Sequence, residues 1–334
     1  MIRWPGMSSP PPSVSVIIPS FNARPFIRQA IESVLPGHRF PVEVVVVDDG
    51  STDGSADHAE ATSPSVRVLR QQNRGACAAR NVGMAVSRGP LLMFLDADDF
   101  VAPGTLDALA NALVDNPGTS LAVCPWSVVK PEGHVNPGGG VPPPVAKERE
   151  DLLTEWLLGR FTPPCAVLWR REALLAIGGW DEKVLKNQDG DVVMRALADG
   201  ATAIRARNGM GYYRDHTDGR PAISQKRGMQ FSCSQFAVLL RVESMLVRRG
   251  ALETYRVPLA RAFHRLSRDA AVVDARLSRL IDKHGRALAG WAGIPGRFPS
   301  RVAEGLIGSV RMERVARMLG RRRRSQAVEG NPED

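Results

Sequence analysis

The sequence predicts an α/β protein: a mostly parallel sheet flanked by helices, followed by a helical C-terminal extension. Three observations predict it. Short apolar runs alternate with helical periodicity at close spacing through the first two thirds of the chain. Acidic clusters directly follow the second and fourth apolar runs, at the carboxyl strand ends where open α/β sheets bind ligands. From about Lys226 the strand-like runs stop and long helical patterns take over.

Taken in order, residues 14–18 read as a strand and 26–35 as a helix with apolar residues at helical spacing. A second strand covers 42–47 and a short helix 55–61; a third strand covers 66–69 and an Ala-rich helix 75–87. The fourth strand is 91–95, followed by a helix over 105–114 that 100–103 leads into, and a fifth strand is predicted over 121–129. Residues 130–145, rich in Gly and Pro, break the pattern and read as a loop suited to act as a lid. A helix at 151–158, a strand at 166–169, a helix at 189–199 and short strands at 203–205 and 211–214 follow. Val192, Val193, Ala196 and Leu197 lie on one side of the 189–199 helix. Helical patterns then run over 226–249, 252–289 and 300–320, and 321–334 reads as a charged, disordered tail.

The chain has 334 residues, 43% hydrophobic and 24% charged, a globular composition. No apolar run is long enough to span a bilayer, and residues 1–12 lack the apolar core of a signal peptide. The expectation is a cytoplasmic protein. Cys77, Cys124, Cys165 and Cys233 are scattered without a C-x-x-C pair, as reduced thiols are. Charge is unevenly placed: residues 1–219 hold 21 basic and 25 acidic side chains, net −4, and residues 220–334 hold 23 and 10, net +13. The basic part suits an anionic partner. With no zinc finger or RNP-like aromatic motif beside it, nucleic acid is not the expected one. Arg321-Arg322-Arg323-Arg324 beside an amphipathic helix suits peripheral contact with the anionic inner face of a membrane; a solvated terminus or partner-binding helix fits the same residues.

Asp96-Ala97-Asp98-Asp99 follows the fourth strand. Carboxylates at i and i+2 of an extended segment point the same way, so Asp96 and Asp98 are expected to converge on a divalent cation, Mn or Mg. A solvated acidic turn or a helix cap fits the same residues. Asp48-Asp49-Gly50-Ser51 ends the second strand, where a carboxylate can accept hydrogen bonds from a ribose or a base N–H, or simply make a turn. Arg80, in Ala79-Arg80-Asn81, is placed to meet a diphosphate or a nucleobase, or to sit on the surface. The first strand ends in Pro19-Ser20-Phe21-Asn22. It carries neither G-x-G-x-x-G nor G-x-x-x-x-G-K-[ST], which excludes a dinucleotide-binding Rossmann site and a P-loop. The same absence of a Gly- and basic-rich loop argues against a sugar nucleotidyltransferase.

In this order, Val16-Ile-Ile-Pro-Ser-Phe-Asn22, Val47-Asp-Asp-Gly-Ser51, Asn73-Arg-Gly with Ala79-Arg-Asn81, and Phe94-Leu-Asp-Ala-Asp-Asp99 resemble the family 2 glycosyltransferases over about residues 14–219. The resemblance implies the nucleotide-sugar-binding GT-A fold and inverting, metal-dependent transfer from a nucleoside-diphosphate sugar to a hydroxyl of a glycan or lipid-linked acceptor. It implies donor contacts from Pro19, Phe21, Asn22, Asp48, Asp49, Arg80, Asp96 and Ala97, and a metal held by Asp98 with His216 of Tyr213-Arg214-x-His216 as a further ligand. Asn187-Gln188-Asp189-Gly190-Asp191 resembles the family's Glu-Asp-x-Asp segment, which implies Asp189 as general base; Gln188 stands where the family has glutamate. That departure supports an alternative, a catalytically silent glycan- or nucleotide-sugar-binding protein. The expected organisation is an N-terminal tail (1–13), a catalytic domain (14–225) with donor half 14–130 and acceptor half 146–225, a helical extension (226–320) and the tail (321–334).

Overall fold

A computed structural model describes residues 13–35, 37–130, 135–136, 151–215 and 227–289. Among these, the chain divides into two compact units. One lies within Met1–Leu152, Phe161–Lys183 and Gln188–Ala222, the other within Leu153–Arg160, Val184–Asn187 and Ile223–Asp334.

The first unit begins with β1 (Val14–Ser20), α1 (Ile27–Val34), β2 (Val42–Asp48), α2 (Ser55–Thr62), β3 (Val66–Arg70), α3 (Ala76–Val86) and β4 (Leu91–Phe94). It continues with β5 (Phe100–Val101), α4 (Thr105–Val114), β6 (Leu121–Val123), β7 (Trp126–Val129) and β8 (Val135–Asn136). After α5 (Leu152–Leu157), which lies mostly in the second unit, come β9 (Val167–Arg170), α6 (Arg171–Ala176), α7 (Gln188–Asp199), β10 (Ala203–Arg205) and β11 (Gly211–Arg214).

A seven-stranded sheet has the order β10-β6-β9-β4-β1-β2-β3 and is parallel except at β9, which runs antiparallel to β4 and β6. Its central strands are apolar on both faces because helices cover both. Val16, Ile18, Val44 and Val46 join α1 and α4 in one core, whereas Val45 and Val47 pack with Ala79 of α3 on the other side. The register matters for the site. Ser20, Asp48 and Arg70 pair across β1, β2 and β3, and Ile17 pairs with Phe94, so the carboxyl ends of four strands reach one edge.

Two predicted elements are broken. Residues 121–129 are two strands in two sheets: β6 stays in the large sheet, and β7 joins a four-stranded sheet, β5-β11-β7-β8. Pro125 lies at the break; it has no N–H to continue a ladder. Residues 252–289 form two helices, α9 (Leu252–Ala270) and α10 (Ala275–Ala289), because Asp274 ends one and caps the next by accepting the Leu277 N–H at 2.6 Å. They pack with α8 (Met229–Arg248) in the second unit. β5 replaces the predicted lead into α4, whose start is set instead by Gly104 at φ 78°. The predicted helix over 300–320, the tail and most of the 130–145 loop lie outside the described residues. No helix among the described residues is long and apolar enough to cross a membrane.

The tightest approach of helix to sheet is at Gly83 of α3. A Cβ there would lie 2.3 Å from Ile17 Cγ2 and 3.3 Å from Val47 Cγ2. Gly83→Ala gains about 1 kcal/mol of helix propensity, but the overpacking outweighs it, and a net loss of roughly 1–2 kcal/mol is predicted. Urea denaturation checks this; an unchanged or higher midpoint contradicts the packing.

Candidate active site

The edge described above is built by chain reversals that only particular residues allow. Gly50 sits at φ 80° directly after β2, and a Cβ there would meet the Asn73 backbone N at 3.1 Å. Asn22, at φ 50°, turns the chain after β1; its Oδ1 accepts the Thr52 N–H at 2.9 Å and its own N–H donates to Ser51 Oγ at 2.9 Å. The two strand ends are therefore locked to each other. Pro19 and Phe21 flank this junction, and the Phe21 ring is 52% exposed, a large apolar face offered to solvent.

The paired aspartates after β2 divide their work. Asp49 is buried and both its oxygens accept: Oδ1 from Gln71 Nε2 at 2.7 Å and Arg74 N at 2.9 Å, Oδ2 from Gly75 N at 2.7 Å. It anchors the loop that starts α3. Asp48 uses only Oδ2, accepting the Ser51 N–H at 3.1 Å. Its Oδ1 is buried without a hydrogen-bond partner, as is the Ser20 hydroxyl beside it in the register. An unmatched buried acceptor is costly unless a donor arrives. Of the pair, Asp48 is the one with an oxygen that accepts no hydrogen bond.

Residues 96–99 do not continue the strand. The Asp99 N–H donates to the Asp96 carbonyl at 2.9 Å, closing a turn. The expectation that Asp96 and Asp98 point the same way from an extended segment is thereby corrected. Asp96 turns to Arg80, whose Nη2 donates to its Oδ1 at 2.5 Å. Asp98 is half-buried, Ala97 is buried beneath the turn, and Asp99 is buried with Oδ1 accepting the Arg214 N–H at 2.8 Å. Burial and then the charges of Asp98 and Asp96 push the Asp99 carboxyl well above the usual range. Arg214 of β11 latches the turn from outside: its Nε donates to the Asp98 carbonyl at 2.9 Å, its Nη2 to Gln29 at 2.7 Å, and its guanidinium stacks near Phe26 and Phe100.

Arg80 is 4% exposed and sits at the centre of the site. Besides Asp96 it faces Asp189 Oδ1 at 3.6 Å, Gln188 Oε1 at 3.5 Å and the Trp180 ring, 4.3 Å from the ring centroid. Trp180 is in turn buried edge-on against Phe94 at 5.1 Å. Burial works against the Arg80 charge, but Asp96 and Asp189 outweigh it and hold the guanidinium protonated. Arg80 is thus directed inward. Asp189, in the first turn of α7, has its carboxyl pushed up to about 6, chiefly by burial and further by Asp96, with Arg80 pulling the other way.

The support beneath Asp189 is dense. On α7, Asp191 and Arg195 form a buried i,i+4 pair at 2.7 Å. Arg195 also donates to the carbonyls of Ile177 and Gly179, each at 2.8 Å. Asn81 of α3 donates to the Trp180 carbonyl at 2.9 Å and accepts the Trp180 N–H at 3.0 Å, and Arg74 pairs with Glu182 at 3.1 Å. Gly179 is the only residue type that fits there, since a Cβ would lie 2.9 Å from Asn81 Oδ1 at φ 71°. Asn81, Trp180, Arg195 and Arg214 stand in family-like motifs of the sequence, Trp180 in Gly178-Gly179-Trp180-Asp181-Glu182, but the motifs do not say what each side chain holds. The i,i+4 spacing of Asp191 and Arg195 signals that one pair; the partners of the others are set by long-range packing.

Among the described residues at this edge, the candidate metal donors are carboxylate oxygens. The buried thiols of Cys77 and Cys124 are pushed up to about 12, chiefly by burial. Among the described residues no three metal-ligating side chains cluster. Mg²⁺ or Mn²⁺ chemistry does not require three, because a hard ion commonly takes one or two carboxylates and completes its shell with water and phosphate oxygens. Asp98 fits that requirement. His216 lies outside the described residues.

The chain is similar to known proteins in sequence and in fold. Residues 15–176 match the family described as Glycosyl transferase family 2. ExoU, the succinoglycan biosynthesis protein of Rhizobium meliloti, is 45% identical over 105 residues, 30% of each chain. The uncharacterized glycosyltransferase EpsJ of Bacillus subtilis is 35% identical over 108 residues, 31% of each chain. The matched segment thus spans about a third of these relatives' length. Among solved structures, S. aureus TarS 1-349 in complex with UDP-GlcNAc aligns with TM-score 0.58 at 20% identity, covering 82% of this chain and 87% of that one. The mannosyltransferase PcManGT of Pyrobaculum calidifontis, solved with GDP-Man and Mn²⁺, aligns with TM-score 0.51 at 18% identity over 92% and 87% of the two chains. The fold is GT-A, and residues 15–176 belong to glycosyltransferase family 2.

Proposed function

We propose that the chain transfers a sugar from a nucleoside-diphosphate sugar to a hydroxyl of a glycan or lipid-linked acceptor, with inversion at the anomeric carbon. The observation that carries this reading is the meeting of Asp48, Asp96 and Asp189 at one sheet edge, with Asp96 and Asp189 sharing Arg80. Neighbours solved with UDP-GlcNAc, and with GDP-Man and Mn²⁺, support a donor of this class and a divalent ion.

Each residue has a task. Asp48 Oδ1 accepts a hydrogen bond from the nucleoside, and Phe21, Pro19 and Asn22 line the approach. Asp98 would hold a divalent cation, which supplies Lewis-acid stabilisation of the departing diphosphate. Asp189 accepts the acceptor hydroxyl proton as the oxygen bonds to the anomeric carbon and the bond to the diphosphate oxygen breaks. A base poised near 6 is ionised at neutral pH yet basic enough to take a proton. Arg80 holds that base and Asp96 in place from within, and Trp180 covers the guanidinium from water. Gln188 contributes a neutral acceptor to Arg80, so the guanidinium balances two carboxylates rather than three. The site lies on a protein peripheral to the inner face of an anionic membrane, where a lipid-linked acceptor would be reached.

A second reading rests on Gln188: a protein that binds the donor without turning it over. Turnover of any nucleotide sugar excludes it.

Nucleoside-diphosphate binding is predicted to need metal. Calorimetric titration of UDP and GDP with and without Mn²⁺ should show tight binding only with the ion, and Asp98→Ala should abolish the difference; equal affinity throughout would remove the metal from the reading. Asp189→Asn keeps the shape and removes the proton acceptor, so kcat is predicted to fall roughly 10²–10⁴-fold with little change in nucleotide affinity. Transfer at the parent rate would place the base elsewhere. Because the base must be unprotonated, kcat/KM should rise with pH through about 6 and then level off. Arg80→Met removes the cation that favours the Asp189 carboxylate, so the rising limb should move to higher pH. The same change leaves two partly exposed carboxylates uncompensated, at a stability cost of roughly 2–3 kcal/mol. A pH profile unmoved in Arg80→Met would show that the guanidinium does not act on the base.

A further inference from the structure

We infer that the outer face of α10 is a docking surface for an anionic phospholipid bilayer. The second unit is strongly basic: residues 227–289 hold twelve Lys and Arg against five Asp and Glu, a net of +7. All five acids are engaged locally. Glu243 meets His284 at 2.6 Å, Glu253 meets Arg256 at 3.6 Å and Asp269 meets Arg227 at 3.8 Å. Asp274 caps α10, and Asp282 meets both His264 and Arg286.

The exposed cations of α10 share one stripe. Arg276, Arg279, Leu280 and Lys283 stand at i, i+3, i+4 and i+7, and all four are exposed. No ion pair or hydrogen bond joins Arg276, Arg279 or Lys283 to another described side chain. Leu280, between them, is 55% exposed. The opposite side of the helix is fixed: Ser278 and Ile281 are buried, a Cβ on Gly285 would lie 2.9 Å from Phe263 Cβ, and Asp282 and His284 tie it to α9 and α8. The stripe is therefore a standing surface of the unit, with an aliphatic side chain ringed by three uncompensated cations.

The composition decides the partner. Among the described residues of the second unit, the exposed large apolar side chains are all non-aromatic: Leu185, Met229, Leu240, Val247, Val257, Val272 and Leu280. Nucleic acid would call for aromatic rings that stack on bases. A lipid interface asks for cations at the headgroups and aliphatic groups between them. The inference gives a surface to the peripheral location proposed above, and its test does not depend on transfer chemistry.

The test uses the whole 334-residue chain and sedimentation with vesicles of phosphatidylcholine, with or without a one-third share of phosphatidylglycerol. Binding is expected only to the anionic vesicles and should weaken with salt. Each cation near such a surface is worth roughly fivefold in partitioning, so Arg276→Gln/Arg279→Gln/Lys283→Gln should weaken binding by roughly 10²-fold. The replacements are exposed and should leave the melting temperature unchanged, which shows that the fold persists. A second variant, with Arg321 to Arg324 all changed to Gln, should retain vesicle binding above the triple variant. Parent-like binding by the α10 variant overturns the inference. So does loss of all binding in the Arg321 to Arg324 variant alone, equal binding to neutral vesicles, or binding to single-stranded nucleic acid with none to vesicles.

Discussion

The site depends on one buried cation. Arg80 lies beneath the sheet edge with carboxylates from two distant segments on it: Asp96 after β4 and Asp189 on α7. Burying a guanidinium is costly, and only close acids and hydrogen bonds make it tolerable. The chain supplies them from parts of the sequence 16 and 109 residues away from position 80, so the ion pairs also act as a staple. The Asp96 turn and the start of α7 are held at a fixed separation because both carboxylates meet the same side chain. Pre-set positions of this kind are what an enzyme needs when reacting groups must be aligned before chemistry.

Everything around Arg80 serves to keep it there. Gly83, one turn further along α3, lets the helix lie directly on Ile17, which sets how deep Arg80 sits. Asp49, at the end of β2, holds the start of α3 through two backbone N–H groups. Asn81 and Arg195 hold the 177–180 turn that carries Trp180 onto the guanidinium. Arg214 fastens the Asp96–Asp99 turn from the small sheet. Once these structural demands are met, Asp48 still has a buried oxygen, Oδ1, that accepts no hydrogen bond.

Much of this was legible in the sequence, and the reason is physical. Buried parallel strands must be apolar along their whole length, so β1, β2 and β4 stand out as runs, and the acids that end them stand out against the runs. Helix α7 and Asp189 at its start follow from periodicity and from the resemblance of the 187–191 segment. What failed was what local pattern cannot carry. The 121–129 run divides because Cys124 and Pro125 leave one sheet for another, and apolar composition is the same in both. The Asp96–Asp98 geometry was misjudged because a turn, not a strand, follows Leu95, and its closing hydrogen bond has no signature in residue type. Arg80 was legible as a site residue but not as a buried one, since burial of an arginine is decided by acids far away in the chain. Gln188 is intelligible only with Arg80 beside it.

The account stands or falls on where a donor nucleotide sits relative to these carboxylates. A crystal structure of the full chain with UDP and Mn²⁺, using the anomalous signal of manganese, tests it most directly. The account predicts the ion on the Asp98 carboxylate and the diphosphate, a nucleoside donor group on Asp48 Oδ1, and Arg80 still bound to Asp96 and Asp189 beneath them. A nucleotide bound away from the carboxyl edge of β1, β2 and β4, or a manganese ion coordinated without Asp98, would contradict it.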